Sequence, residues 1–167
     1  MPDKETIKRA RKDKREGKSP STQAGEFVRE EIHHVREGKH GARSTKQAIA
    51  IGLSQARRSG VKLPPPPRGK APEKTRASSR HAYEEGQSGS RKPVSRKRAR
   101  AGLGALKREG TAAASTASLS RQGRAAASRR TPGERSAAAK KGARTRGPDK
   151  RAAAAGKAAR TRARKAS

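Results

Sequence analysis

The chain has 167 residues, 45 Lys+Arg against 14 Asp+Glu, a formal net charge of +31, and only 28 % hydrophobic and 1 % aromatic residues. This composition excludes a single large core, because so polar and charged a chain buries too little apolar surface to offset its conformational entropy. Cysteine is absent, which excludes disulfides and cysteine metal sites. We therefore expect a mostly α-helical protein with extensive disorder.

The charge is distributed unevenly along the chain. Residues 1–20 and residues 21–63 each carry 8 basic and 4 acidic residues, whereas residues 64–167 carry 29 basic and 6 acidic ones. This asymmetry predicts a nearly balanced N-terminal part followed by a polycationic tail.

The first predicted elements are a basic arm and a helix. Residues 3–16 are almost wholly charged, and residues 1–20 should form a frayed N-terminal arm. The following segment repeats apolar residues at helical spacing, which predicts an amphipathic helix, and Gly38 stands where a helix-ending glycine belongs. The apolar residues of this helix are Phe27, Val28, Ile32 and Val35.

A second helix begins near Ser44. Ser44 and Gln47 form an S-x-x-Q capping box, and Gly60 followed by Val61 predicts a Schellman ending. The apolar face of this helix contains Ile49, Leu53 and Ala56.

These two helices predict a small αα-hairpin of about residues 21–60, within a module spanning 21–63. Its size is near the lower limit for a stable lone core, about 40 residues. We therefore expect one of three arrangements: self-association through the module, packing against part of the tail, or ordering on a partner.

Residues 64–167 are predicted to form a linker, a second helical pair and a tail. Residues 64–94, which begin with four prolines, predict a Pro/Gly/Ser-rich linker, and residues 95–130 predict a second helical pair. Residues 131–167 form an Ala/Lys/Arg-rich repeat tail, in which 132–146 and 148–162 match at a period of 16. Thr131 to Glu134 fits a helix cap. Because like charges repel, we expect only nascent helices in this tail, ordered by a polyanion.

Motifs of catalysis are missing from the sequence. There is no phosphate-binding glycine loop, no HExxH and no cysteine pair, so we expect no enzyme, no cofactor and no metal site. The pairs His33–Glu37 and Glu30–His34 have i, i+4 spacing that could bridge a metal. We expect solvated histidines on a polar helix face instead.

The excess of basic residues is the clearest functional signal. A field of this size attracts nucleic acid through its phosphates, and the lack of aromatic residues argues against recognition of unpaired bases. The residues expected to contact phosphate are Arg43, Lys46, Arg57, Arg58, Arg96, Lys97, Arg98, Arg100, Arg129, Arg130, Lys140, Lys141, Arg144, Arg146, Lys150, Arg151, Arg160, Arg162, Arg164 and Lys165.

The segment Glu26 to Gly60, centred on REG and RSTKQAIAIGLSQA, resembles a small bacterial domain family of unknown function whose members often carry a DNA-binding label. ALKREG, LSRQGRAAASRR and KKGARTR resemble the basic C-terminal region of relatives. The tail composition is similar to that of linker histones and bacterial histone-like proteins. The resemblance implies association with nucleic acid and brings no catalytic residues.

Together these patterns predict a histone-like protein that binds and condenses duplex DNA without sequence preference. An RNA- or ribosome-associated protein is one alternative, since phosphate neutralisation does not distinguish the two polymers. A protein–protein adaptor localised by its tail is another. No run of 18 apolar residues and no secretory signal is present, so we expect a cytoplasmic, nucleoid-associated protein without membrane contact.

Overall fold

The computed structural model describes residues 2–89 and 95–166, which form seven α-helices and one 3-10 helix. They divide into two compact units, Met1–Gln122 and Gly123–Ser167, each described by itself below. The elements are α1 Lys4–Arg15, α2 Pro20–Arg36, α3 Thr45–Arg58, α4 Glu73–Gln87, α5 Arg96–Lys107, a 3-10 helix Ala112–Ala114, α6 Thr116–Ser128 and α7 Pro132–Ala166.

The expectation of extensive disorder with a long tail of nascent helices is wrong. Helices α4 to α7 occupy most of the chain beyond residue 72. Low hydrophobicity limits the size of a core, but a helix satisfies its backbone hydrogen bonds within itself, and alanine has the best helix propensity. Local caps add to this. Ser115 Oγ accepts a hydrogen bond from Ser118 N at 3.2 Å, at the start of α6.

The core of the first unit is built around the antiparallel pair α2 and α3. One cluster of buried residues joins Ile32 and Val35 of α2 to Ala48 of α3. The other joins Phe27 of α2 to Ala56 of α3. The core is therefore divided between the two ends of one helical hairpin.

Helix α1 covers the Phe27 end of this hairpin. Ala10 is buried in the Phe27 cluster and Ile7 packs against it. Arg9 Nε donates a hydrogen bond to Glu26 Oε2 at 2.7 Å, which ties α1 to α2. The expected frayed arm is thus a packed helix. Its contact face contains small residues, which permit close approach but carry no strong hydrophobic signal.

The 3-10 helix covers the opposite end of the hairpin. Ala113 and Ala114 are buried with Val35, and Leu119 of α6 packs against the same cluster. Thr45 Oγ1 donates a hydrogen bond to the Ala113 carbonyl at 2.6 Å. Of the three arrangements expected for the small hairpin, the structure has packing against part of the tail.

The predicted ends of α2 and α3 are confirmed. Gly38 and Gly60 have φ of 71° and 85°, the left-handed region that favours glycine. Val61 N donates a hydrogen bond to Ala56 O at 3.1 Å, which is the Schellman pattern. At the start of α3, Ser44 Oγ accepts from Gln47 N. Gln47 Oε1 accepts a hydrogen bond from the backbone N–H of Arg43, whereas a capping box predicts the N–H of Ser44 as the donor.

Helix α4 lies within the segment expected to be a polar linker. Ala82 is buried. A methyl group on Gly86 would lie 1.8 Å from the Arg57 carbonyl oxygen, so α4 packs its backbone directly onto the end of α3. The linker residues 90–94 lie outside the described part of the chain.

The second unit consists of the end of α6 and helix α7. Thr131 and Glu134 form a reciprocal capping box, in which Thr131 N donates to Glu134 Oε2 at 2.8 Å and Glu134 N donates to Thr131 Oγ1 at 3.2 Å. This confirms the predicted cap. Gly147, at φ 73° and ψ 169°, divides α7 into two helical segments that follow the 16-residue repeat.

Within the described residues, no helix combines the length and the hydrophobicity that crossing a membrane requires.

Candidate functional site: exposed cations and a buried carboxylate–histidine cluster

The predicted phosphate-contacting residues of the hairpin lie at opposite ends of α3. Arg43 and Lys46 are exposed beside its first turn, and Arg58 is exposed in its last turn. Lys46 and Arg58 are 12 positions apart, which corresponds to about 18 Å along a helix. Arg58 Nε also lies 3.1 Å from Glu85 Oε2 of α4. The structure therefore does not bring these cations together into one patch.

Arg57 lies in a different setting from its neighbour. The residue is buried, and its guanidinium donates hydrogen bonds to the carbonyl oxygens of Leu63 at 3.1 Å and Pro64 at 3.3 Å. Burial lowers the pKa of Arg57 from its usual value. In this structure Arg57 fixes the chain that leaves α3, and the phosphate contact proposed for it stays a prediction.

The predicted cations of the later helices are all at the surface where their side chains are described. The side chains of Arg146 and Lys165 lie outside the described residues. The exposed members of the predicted set are Arg96, Lys97, Arg98, Arg100, Arg129, Arg130, Lys140, Lys141, Arg144, Lys150, Arg151, Arg160, Arg162 and Arg164.

The residues predicted to form the hairpin core contribute to it unequally. Phe27, Ile32, Val35 and Ala56 are buried. The partly buried members are Val28, Ile49 and Leu53. Phe27, one of the two aromatic residues of the chain apart from histidine, is only 1 % exposed, so it cannot stack on a nucleobase.

A cluster of polar side chains lies where α2 meets the loop before α3. Glu31, His34 and His40 each place a potential metal-ligating atom within 4.8 Å of the other two. Glu31 and His34 are three residues apart and share one face of α2, while His40 reaches them from the loop. His40 Nε2 lies 3.6 Å from Glu31 Oε1, and the His34 and His40 ring centroids are 6.2 Å apart.

A second group shares His34. Asp3 Oδ2 lies 3.5 Å and Glu30 Oε1 lies 3.9 Å from His34 Nε2. Glu30 Oε1 also accepts a hydrogen bond from the Asp3 backbone at 2.7 Å, which holds the residue before α1 against α2. A groove of about 720 Å³ is lined by Asp3, Glu30 and His34 and opens this side of the cluster to solvent.

The carboxylates of the cluster are buried and incompletely satisfied. Glu31 is 1 % exposed, and its Oε2 accepts a hydrogen bond from Gln55 Nε2 at 3.1 Å. Glu31 Oε1 and Glu30 Oε2 have no hydrogen-bond partner within the described structure. Burial raises the pKa of Glu31, with a smaller contribution of the same sign from Glu30, against the opposing charges of His40 and His34.

This cluster was not predicted from the sequence. His33 is exposed, as expected, but His34 is largely buried. The pairs considered from the sequence have i, i+4 spacing, whereas Glu31 and His34 have i, i+3 spacing, which equally places two residues on one helix face. That spacing, followed by a histidine soon after the helix-ending glycine, was the available signal. The proximity of His40 depends on the loop and is a tertiary feature.

Comparison with known proteins finds a matching family but no function. The fold is a small all-α arrangement, and residues 4–67 match a family described as "Family of unknown function (DUF6496)". The match confirms the resemblance of Glu26 to Gly60 to a family of unknown function. The DNA-binding label and the bacterial origin stay predictions. The match extends further, from α1 through α3 to the end of the proline run. No curated protein and no solved structure matches the chain.

Proposed function

We propose that the protein binds duplex DNA without sequence preference, through phosphate contacts made by exposed lysine and arginine side chains of its later helices. The observation that carries this proposal is the charge of Gly123–Ser167, which has 15 basic and two acidic residues. All of its cations whose side chains are described are exposed. Such a surface attracts polyanions and gains affinity by releasing counterions.

The composition of α7 favours a phosphate polymer over a protein groove or a lipid surface. The helix contains no aliphatic residue larger than alanine apart from its two prolines. It therefore lacks the large apolar side chains that a helix-in-groove contact or an interfacial membrane helix requires. Neighbouring cations such as Lys140–Lys141 and Lys150–Arg151 point about 100° apart around the helix axis. Such a distribution favours neutralisation of phosphates around the helix over contact along a single narrow face.

The dimensions of α7 fit a duplex. Its second segment, 148–166, is about 28 Å long at 1.5 Å per residue, and the major groove is about 12 Å wide. A helix of this length can reach phosphates on both sides of the groove. Base reading is not part of the proposal, because asparagine is absent and Phe27 is buried.

The proposal is tested by the salt dependence of binding of the full chain to a duplex. Substituting Lys140, Lys141 and Arg144 with glutamine should reduce the slope of log K against log salt by up to about 2.7, at roughly 0.9 per phosphate contact. The matched control substitutes Lys12, Lys14 and Arg15 of α1, which are exposed and change the net charge equally. We expect a smaller reduction for the control.

Two results would contradict the proposal. Equal slopes for both triple variants would mean that net charge, and not α7, governs binding. A structured RNA hairpin that outcompetes the duplex at matched salt would instead favour the RNA-associated alternative. Condensation and nucleoid association, which belong to the same proposal, require in addition that the wild-type chain compacts long duplex DNA and that the α7 variant does so less.

A further inference from the structure

We propose that Glu31, His34 and His40 form a binding site for a single Zn²⁺ ion. The proposal is independent of nucleic-acid binding and rests on the first unit alone. Two imidazoles and one carboxylate are ligands typical of Zn²⁺, and imidazole nitrogen disfavours Mg²⁺ and Ca²⁺. Three protein ligands leave the fourth position of a tetrahedral ion for a water.

The spacing of the ligand atoms fits such an ion. At zinc–ligand distances of about 2.0–2.1 Å, two ligand atoms of a tetrahedral site are about 3.3 Å apart. His40 Nε2 and Glu31 Oε1 are 3.6 Å apart, too far for a hydrogen bond and close to the separation that a shared ion imposes. The candidate atoms of all three residues lie within 4.8 Å of one another.

The orientation of His40 is that of a metal ligand. His40 Nδ1 lies 3.1 Å from the Gly41 carbonyl oxygen, which only accepts, so this contact favours the tautomer with its proton on Nδ1. In the neutral ring the Nε2 lone pair then faces Glu31. Histidines that bind zinc usually donate their other ring N–H to a backbone carbonyl or a carboxylate, which fixes the orientation of the ring. A cation between Nε2 and the carboxylate would satisfy both lone pairs.

The unsatisfied carboxylate is an independent observation that points to a cation. Glu31 is 1 % exposed and its Oε1 has no hydrogen-bond partner, although buried polar atoms are normally paired. A metal ion at Oε1 would remove this deficit.

A groove reaches one side of the cluster. Glu30 and His34 line the groove beside α1 and α2, so an ion can reach His34 without unfolding of the hairpin. Glu30 Oε2 is a second buried oxygen without a hydrogen-bond partner. An ion at this place would join α2 to the loop before α3 and stabilise the helical hairpin.

The experiment is a titration of the full-length, chelator-treated protein with ZnCl₂ in the absence of nucleic acid, followed by calorimetry and by thermal unfolding. We expect one equivalent to bind and to raise the melting temperature. His34→Ala, His40→Ala and Glu31→Gln should each lower the affinity at least about tenfold. His33→Ala is the matched control, because His33 is adjacent but exposed, and it should leave the affinity unchanged.

A measurement on the wild-type protein keeps the test decisive if an alanine variant fails to fold. The ring ¹⁵N resonances of His34 and His40 should shift on addition of ZnCl₂, while those of His33 and His81 should not. Equal shifts at all four histidines, or no binding, would overturn the proposal. Equal loss of affinity in His33→Ala would overturn it as well, and so would displacement of Zn²⁺ by millimolar MgCl₂.

Discussion

Gly52 of α3 lies against Val28 of α2 so closely that a methyl group on Gly52 would be 2.7 Å from the Val28 Cα. The Phe27 carbonyl oxygen would be 2.9 Å away. Both neighbours are backbone atoms and cannot move aside as a flexible side chain would. The distance between the two principal helices is therefore set by a residue without a side chain.

Gly52→Ala is expected to destabilise the protein by about 1–3 kcal/mol, because the methyl group forces α2 and α3 apart. The matched control is Gly25→Ala on α2, where a methyl group meets nothing within 4 Å. The control should stabilise the helix by roughly 0.5–1 kcal/mol. Urea unfolding followed by circular dichroism measures both. A Gly52→Ala protein as stable as wild type would contradict the packing described.

Thr45→Val should loosen the 3-10 helix from the hairpin. The substitution keeps the shape of the side chain but removes the donor to the buried Ala113 carbonyl, which costs about 1–3 kcal/mol. Amide hydrogen exchange should accelerate around residues 113–119. Thr75→Val on the exposed face of α4 is the control and should change stability by less than about 0.5 kcal/mol. Unaltered exchange in Thr45→Val would refute the role given to this bond.

The protein is expected to lose stability at alkaline pH, where Lys18 loses its charge. Hydrogen bonds to Asp13 and then to Glu16 raise the pKa of Lys18 above its usual value. A raised pKa of a lysine means that its stabilising contribution is complete below the unfolded-state value, about 10.4, and disappears as pH rises through the folded-state value. The difference in unfolding free energy between wild type and Lys18→Met should stay constant from neutral pH to about pH 10 and shrink above it.

The control for this pH series is Lys14→Met, an exposed residue of α1, the helix that precedes Lys18. Its difference from wild type should show no such decline. If the difference in unfolding free energy between wild type and Lys18→Met already shrinks near neutral pH, the role given to Lys18 is contradicted. Lysine titrates near neutral pH in neither the folded nor the unfolded protein.

Thr131→Ala should fray the first turn of α7. The substitution removes the oxygen that accepts from Glu134 N, and loss of such a cap costs about 0.5–2 kcal/mol of helix stability. Faster amide exchange is expected near Glu134, with no change in the first unit. Thr145→Ala is the comparison, since its hydroxyl only bonds to the Lys141 carbonyl within the helix. Equal exchange at residue 134 in both variants would show that the cap is unimportant.

The elements that the sequence predicted correctly depend on local chemistry. Ser44, Gln47 and Gly60 mark the ends of α3 by their own hydrogen-bonding and conformational properties, and the structure has those ends. The capping box at Thr131 and Glu134 was predictable for the same reason. In each case the interacting groups are only a few residues apart, so no tertiary information is required.

The elements that the sequence missed depend on close packing of small residues. Helix α1 packs through Ala10 and Thr6, and the 3-10 helix packs through Ala113 and Ala114. Hydrophobic patterning gives little weight to alanine and threonine, so both segments were interpreted as unpacked. Helix α4 was missed because its contact with α3 is made by Gly86, which has no side chain to produce a pattern.

The same division applies to the candidate sites. The excess of cations could be read from the sequence, because charge is a property of composition. The burial of Arg57 could not be read from the sequence, since it depends on the turn of the chain at Leu63 and Pro64. The carboxylate–histidine cluster was partly readable, through the spacing of Glu31 and His34.

What the sequence by itself determined is therefore the net charge, the helical character of the hairpin and the places where its helices begin and end, because each follows from composition or from neighbours along the chain. Only the tertiary structure decided which small residues are buried and that His40 meets Glu31. The first outcome requires segments far apart in the chain, such as Thr45 and Ala113, to come within hydrogen-bond distance, and the second depends on the path of the loop after α2. Such contacts depend on how the whole of the first unit packs, and no local pattern specifies them.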